Sequence, residues 1–234
     1  MSLMKWLACF CGKNEHRCIP ERKFDLVEKN VCDLVPGFKE AEAVIRGFVP
    51  EHSDIQCLPA AELVTIAAIS RALAPLTVFE IGTYKGLTTL TLAINAPEDA
   101  QVFTLDLDPD KRDTHRHGTG VGGFSSFRVG EAFLGTRYET KIHQVFGNSM
   151  EFDFSTWHGK VDLVLVDADH SYDFVKADTA SALKLVRRGG VIIWDDYVWD
   201  PRYPECEGVA RRLHELRLSI SRIRGTRLAM HVAG

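Results

Sequence analysis

The sequence predicts an α/β fold: a doubly wound, Rossmann-like, mostly parallel sheet of about seven strands, with an antiparallel C-terminal edge pair and an N-terminal helical cap. Three observations predict it. From residue 60 onward, short aliphatic runs alternate with segments of helical periodicity. The run Val161-Asp162-Leu163-Val164-Leu165-Val166 is nearly continuous aliphatic, as a parallel strand buried on both faces requires. The last two strand-like runs flank a turn at Gly225 with no helix between them, which implies antiparallel pairing.

Each element follows in order. Residues 1–55 have weak periodicity and carry Pro20, Pro36 and Pro50, so they are expected to form a cap of short helices ahead of a main domain over 56–234. Leu63, Ile66, Ala67, Ser70, Leu73 and Ala74 recur at helical spacing, and Pro75 ends that helix. A strand at Leu76 to Glu80 leads through a loop to the helical run Leu87 to Ile94. Further strands are expected at Gln101 to Leu107, Ile142 to Phe146, Val161 to Val166 and Val191 to Trp194. Ser171 is a candidate N-cap for a helix to Arg187 that the pair Gly189 and Gly190 would end. A last helix lies around Val209 to Leu216. Residues 108–130 are polar and glycine-rich and read as a long loop, either a substrate lid bringing His115 or His117 to the site or a mobile surface segment.

Composition limits the function classes. Hydrophobic residues make up 45% and charged residues 26%, which supports a real core. A net charge of −4 provides no general field for nucleic acid or anionic membrane, so neither is expected as a partner. No apolar run reaches the ~20 residues of a membrane span, and the start lacks the long apolar stretch of a secretory signal, so a cytoplasmic location is expected. The six cysteines, Cys9, Cys11, Cys18, Cys32, Cys57 and Cys206, crowd toward the N-terminus without paired zinc spacing. They read as idle or buried thiols.

In doubly wound sheets, ligands bind beyond the carboxyl ends of the strands where strand order reverses. The loop there reads Glu80-Ile81-Gly82-Thr83-Tyr84-Lys85-Gly86. Gly82 permits a tight turn, and Gly86 lets backbone approach a ligand. Glu80 stands where a dinucleotide fingerprint has its first glycine and would repel a pyrophosphate. That suits a cationic ligand without phosphates, such as S-adenosylmethionine. Asp106, at the end of the next strand, can accept hydrogen bonds from ribose hydroxyls.

Two other strand ends carry chemistry: Val166-Asp167-Ala168-Asp169-His170 and Trp194-Asp195-Asp196-Tyr197. Asp167, Asp195 and Asp196 offer an all-oxygen site for Mg²⁺ or another divalent cation such as Mn²⁺. A cation there would bind a substrate hydroxyl and lower its pKa, and His170 would then remove the proton. The competing reading has the acids cap helices or pair with Arg187 and Arg188.

From about Phe79 to Leu228 the chain resembles class I S-adenosylmethionine-dependent methyltransferases. Glu80, Gly82 and Gly86 match the family's first motif, with Thr83 inside it, and Asp106 matches its ribose-binding acid. Asn148 and Ser149 stand where the family contacts adenine. The second half resembles the metal-dependent O-methyltransferases. Its runs Val166 to Tyr172 and Gly189 to Asp196 look closest to the macrocin O-methyltransferase-like group, which methylates sugar hydroxyls. The resemblance implies Asp167, Asp195 and Asp196 as metal ligands and His170 as base. Where the catechol enzymes have Lys and Asn, this chain has His170 and Asp196. The resemblance implies a small-molecule acceptor, a sugar or a phenol. The cap is expected to complete the acceptor pocket or to make a contact in a homo-oligomer. An NAD-dependent oxidoreductase and a non-catalytic S-adenosylmethionine-binding module are the alternatives.

Overall fold

The computed structural model describes residues 25–46, 58–109, 128–200 and 203–234. In chain order these form β1 (Val27–Lys29), α1 (Val31–Leu34), α2 (Ala60–Leu73), β2 (Thr77–Ile81), α3 (Leu87–Asn95), β3 (Gln101–Asp106), β4 (Ile142–Phe146), β5 (Val161–Val166), α4 (Tyr172–Leu185), β6 (Val186–Trp194), α5 (Glu207–Glu215), β7 (Ile220–Ile223) and β8 (Ala229–Val232). A 3₁₀ turn, Pro204–Cys206, leads into α5. No helix among the described residues is long and apolar enough to cross a membrane.

The sheet runs β4-β3-β2-β5-β6-β8-β7-β1. Strands β2 to β6 are mutually parallel, and β8 pairs antiparallel with both β6 and β7. The expected antiparallel pair is present, but an eighth strand extends the sheet beyond it. β1, from the segment expected to be a helical cap, pairs in parallel with β7, Val27 opposite Ser221. Three exposed residues carry no periodicity signal, so only the open edge of β7 identifies them as a strand. The expected boundary near residue 55 lies outside the described residues, as do Cys9, Cys11, Cys18, Cys57, His115 and His117.

The aliphatic strands are buried on both faces. In β5, Leu163 and Leu165 join the cluster under α2 and α3, with Leu63, Ile66 and Leu92. Val164 and Val166 join the opposite cluster under α4 and α5, with Leu185, Trp194 and Leu213. The two-residue period of a strand sends alternate side chains to opposite helical layers, and each layer supplies an apolar face.

One helix ends earlier than its glycines suggest. α4 stops at Leu185, and the chain enters β6 at Val186, with Gly189 and Gly190 inside the strand. Val161 pairs with Val186 but Leu163 with Val191, so the intervening residues form a bulge at the start of β6. Gly189 has φ +75°, which the bulge demands and glycine tolerates. Ser171 does occupy the N-cap position of α4, yet its side chain makes no capping bond.

Candidate active site

The reversal of strand order lies between β2 and β5: from β2 the chain goes to β3 on one side, and β5 takes the other. The loop after β2 therefore sits against the end of β5. Gly82 (φ +104°) lies so close that an added Cβ would fall 1.9 Å from the Asp167 carbonyl oxygen. The cofactor-loop glycine and the first candidate catalytic acid are thus in backbone contact. Gly86 is tight for a different reason from the one expected: its Cβ would strike the Phe133 ring at 2.6 Å, so a protein side chain rather than a ligand approaches it.

Glu80 is fully buried and is not an open carboxylate facing the loop. Its Oε2 accepts hydrogen bonds from the Thr89 hydroxyl on α3 and from the Thr104 hydroxyl on β3, the latter at 2.6 Å. Thr104 and Thr83 hydroxyls lie 2.6 Å apart, and Gln144 Nε2 donates to Thr83 Oγ1 at 3.2 Å. Burial pushes the Glu80 carboxyl up to about 8 against the two hydroxyl bonds, with Asp167 and Asp106 adding to the rise. Oε1 is buried without a hydrogen-bond partner. The sequence motif therefore marks a buried polar tie between β2, α3 and β3 that fixes the loop. Thr89, Thr104 and Gln144 had no signal of their own, because single polar residues on apolar elements form no pattern.

Asp106 ends β3 beside that loop. Its Oδ2 accepts from the Thr83 and Tyr84 amides at 3.2 and 2.7 Å, and its Oδ1 from the Leu107 amide at 2.7 Å. Asn148 opens the turn after β4, its Oδ1 accepting from the Met150 amide at 3.1 Å. Ser149 lies beside Asp178 of α4, a buried carboxyl. Burial pushes Asp178 up to about 7, with the Ser149 hydroxyl opposing and Asp169 reinforcing the shift.

At the ends of β5 and β6 the structure brings Asp167, His170, Asp195 and Asp196 together. His170 Nε2 lies 3.1 Å from Asp196 Oδ2 and 3.9 Å from Asp167 Oδ1, yet out of line for a hydrogen bond to either. Burial works to lower its pKa, but Asp167, Asp196 and Asp169 together raise it above the ordinary histidine value. Burial raises the Asp167 carboxyl, against His170. Burial, Asp167 and Asp196 hold Asp195 well above the usual carboxylate range. Asp195 is 5% exposed, and its Oδ1 has no hydrogen-bond partner. Asp196 adopts φ +55°, a left-handed conformation that Asp tolerates better than most residues.

The acids do not pair with Arg187, whose guanidinium meets Asp162 at the opposite end of the sheet. Their partner is Arg227, just before β8, whose Nη1 lies 2.6 Å from Asp196 Oδ1 and Nη2 4.0 Å from Asp195 Oδ2. Buried Glu62 of α2 anchors it, accepting from the Arg227 amide at 2.7 Å and from Nε at 3.2 Å. Neither residue was legible, since Glu62 lies 165 positions from Arg227.

Cys206 is also at the site. One donor atom each from His170, Asp196 and Cys206 lies within 4.8 Å of the others, the one such trio among the described residues. Gly208 makes this possible: an added Cβ would fall 2.1 Å from the His170 carbonyl oxygen, so α5 docks against residues 170–172 only because residue 208 has no side chain.

The cluster carries the charge for a divalent cation, although Asp167, Asp195 and Asp196 do not bring one oxygen each within 4.8 Å of one another in this structure. Among the described residues, Glu62, Asp167, Asp195 and Asp196 face only Arg227 and His170, so the formal charge stays at −2 even with the imidazole protonated. The partnerless, buried Asp195 Oδ1 is an acceptor awaiting a positive charge.

Comparison with known proteins bears on the family and the fold. The chain is 30% identical over 127 residues to caffeoyl-CoA O-methyltransferase 2 of Zea mays, covering 52% of this chain and 42% of that protein. It is 28% identical over 127 residues to caffeoyl-CoA O-methyltransferase of Petroselinum crispum, covering 52% and 46%. The chain spans about half the length of the relatives it matches. Its fold matches that of the O-methyltransferase TomG from Streptomyces achromogenes, solved with SAM, at TM-score 0.57 and 21% identity, over 76% of this chain and 82% of that one. It also matches an O-methyltransferase from Bacillus cereus, solved with SAH, at TM-score 0.54 and 19% identity, over 76% and 84%. Residues 79–197, from the strand that carries Glu80 to the strand end that carries Asp195 and Asp196, match the profile of the methyltransferase domain family, and the chain belongs to that family.

Proposed function

We propose that this protein is an S-adenosylmethionine-dependent O-methyltransferase that methylates a hydroxyl of a small molecule, a sugar or a phenol, with a divalent cation assisting. One observation carries the reading: the cofactor loop and the acidic cluster share one rim of the sheet, with Gly82 packed on the backbone of Asp167. The sulfonium of the cofactor supplies an electrophilic methyl group, and a divalent cation supplies the field that acidifies a hydroxyl.

The chain's own residues do the rest. Gly82, Thr83, Gly86 and buried Glu80 shape the cofactor loop, and Asp106 accepts from the ribose. Phe146 and Met150 keep apolar surface exposed around Asn148 and Ser149, which suits a flat purine ring. Asp167, Asp195 and Asp196 would hold the cation. His170, in its neutral form, takes the proton of the acceptor hydroxyl at Nε2, which has no hydrogen-bond partner. Asp196 Oδ2 and Asp167 Oδ1 then stabilise the imidazolium. Holding oxygen and methyl in line is itself a large part of the acceleration. The net charge of −4 provides no general field for nucleic acid or anionic membrane, and the reading takes the enzyme as cytoplasmic with residues 56–234 as its catalytic domain.

Calorimetry tests the cofactor. S-adenosylmethionine or S-adenosylhomocysteine should bind at about micromolar Kd, roughly −8 kcal/mol. Binding of NAD with no binding of either would overturn the reading.

A further inference from the structure

We propose that His170, Asp196 and Cys206 form a site for a borderline divalent cation of the Zn²⁺ or Co²⁺ kind, distinct in chemistry from the all-oxygen set of Asp167, Asp195 and Asp196. The geometry of these three side chains carries it, independently of the methyl-transfer reading. Imidazole nitrogen, carboxylate oxygen and thiolate sulfur are the donor types zinc takes, whereas Mg²⁺ prefers oxygen alone.

Four observations support the site. The three donor atoms lie within 4.8 Å of one another, which gathers them in one cluster. Asp196 divides its carboxylate: Oδ1 faces Arg227 at 2.6 Å, and Oδ2 turns to His170 Nε2 at 3.1 Å, leaving an oxygen for a cation on the side away from the guanidinium. Nε2 is a buried atom with no hydrogen-bond partner, although Asp196 Oδ2 lies 3.1 Å away. Asp196 is 8% exposed and Cys206 3% exposed, and Cys206 forms no disulfide. Burial at this level matters because a thiol on an open surface would meet many cations weakly, while the buried Asp196 and Cys206 make stronger electrostatic contacts beside the partly exposed His170.

Three protein donors leave a fourth tetrahedral position open. Loading the site deprotonates the Cys206 thiol, and that proton passes to solvent. It also occupies the lone pair of His170 Nε2, so a bound borderline cation and a free imidazole base exclude one another. The trio therefore makes the site selective in its response: an oxygen-seeking cation leaves His170 available, and a thiol-seeking cation removes it.

The test is spectroscopic, on the full chain. One equivalent of Co²⁺ should give a thiolate-to-cobalt charge-transfer band in the near ultraviolet. Cys206→Ser should abolish the band while S-adenosylhomocysteine binding, followed in parallel by calorimetry, is retained. His170→Ala should weaken Co²⁺ binding at least about tenfold, the least that even losing a group hydrogen-bonded to a ligand costs. An absent band in the unaltered protein, or one that survives in Cys206→Ser because other cysteines supply the sulfur, overturns the proposal. If Cys206→Ser does not fold, zinc-edge X-ray absorption of the unaltered protein decides: one sulfur with one imidazole upholds the site, and a shell of oxygen and nitrogen alone or of several sulfurs overturns it.

Discussion

Arg227 faces Asp196 because β6 and β8 pair antiparallel with Trp194 opposite Ala229, which carries the two residues past the strand ends to the same level, Nη1 2.6 Å from Oδ1. The Tyr197 amide donates to the Arg227 carbonyl oxygen at 2.8 Å and continues that register. A cation of the chain is thus fixed by sheet geometry against the acidic cluster at the ends of β5 and β6.

Removing that cation should be costly. Arg227→Ala leaves Glu62, Asp195 and Asp196 buried without their counter-charge. Breaking a buried pair costs about 3–5 kcal/mol, and the 32% exposure of the Arg227 side chain places this case near about 3. Urea denaturation at pH 7 measures it. An unchanged midpoint would mean that Glu62 is neutralised in some other way.

Two glycines with positive φ should respond differently to alanine. Gly82→Ala combines an unfavourable backbone with a Cβ 1.9 Å from the Asp167 carbonyl oxygen, and should cost more than about 3 kcal/mol and displace the end of β5 from the loop. Gly225→Ala, at φ +79° with nothing within 4 Å of the new atom, should cost only about 1 kcal/mol. Equal losses in the two variants, by thermal or chemical denaturation, would refute the close packing of the loop on Asp167.

Glu80 sets a pH dependence. Its folded-state pKa of about 8 lies above the ordinary 4.5, so the folded protein binds the extra proton between these values. The associated stability is present below about pH 4.5 and is lost as pH rises through about 8, each tenfold difference in proton affinity being worth about 1.4 kcal/mol. Glu80→Gln, which keeps the shape and cannot ionise, should flatten the fall in melting temperature between pH 5 and pH 8 in the ligand-free protein. A variant with the same slope as the parent would assign the titration elsewhere, to Asp178 first, whose carboxyl is pushed up to about 7.

Asp106→Ala should weaken S-adenosylhomocysteine binding by about tenfold or more. It deletes the ribose acceptor and frees the Thr83 and Tyr84 amides, each charge-assisted bond contributing roughly 1.5–3 kcal/mol. Calorimetry reads this directly, and unchanged affinity would remove Asp106 from the cofactor site.

His170→Ala should lower turnover with Mg²⁺ by about 10²–10⁴-fold while leaving S-adenosylhomocysteine affinity nearly intact. Comparing single-turnover rates with calorimetric binding separates the two effects. A near-normal rate would make the imidazole a positioning group for Asp196 instead of the base.

Local patterns along the chain were enough for the parallel strands, most helix bounds and the residues at the strand ends. Val161 to Val166 could be read because a strand buried on both faces must be apolar throughout, and Asp106, Asp167 and Asp195 because strand ends in this topology converge on one rim. What those residues face was settled only by packing. Glu80 is charged in its formula, but α3 and β3 enclose it and turn it into a buried structural carboxyl. Arg227 and Cys206 reach the acids from just before β8 and from the turn before α5, Glu62 of α2 holds Arg227, and β1 adds a strand where β7 leaves an edge. Periodicity reports which face of an element is apolar, a local property. A buried ion pair or a donor trio depends on which elements are neighbours, and that is fixed only when strand order and register close the sheet.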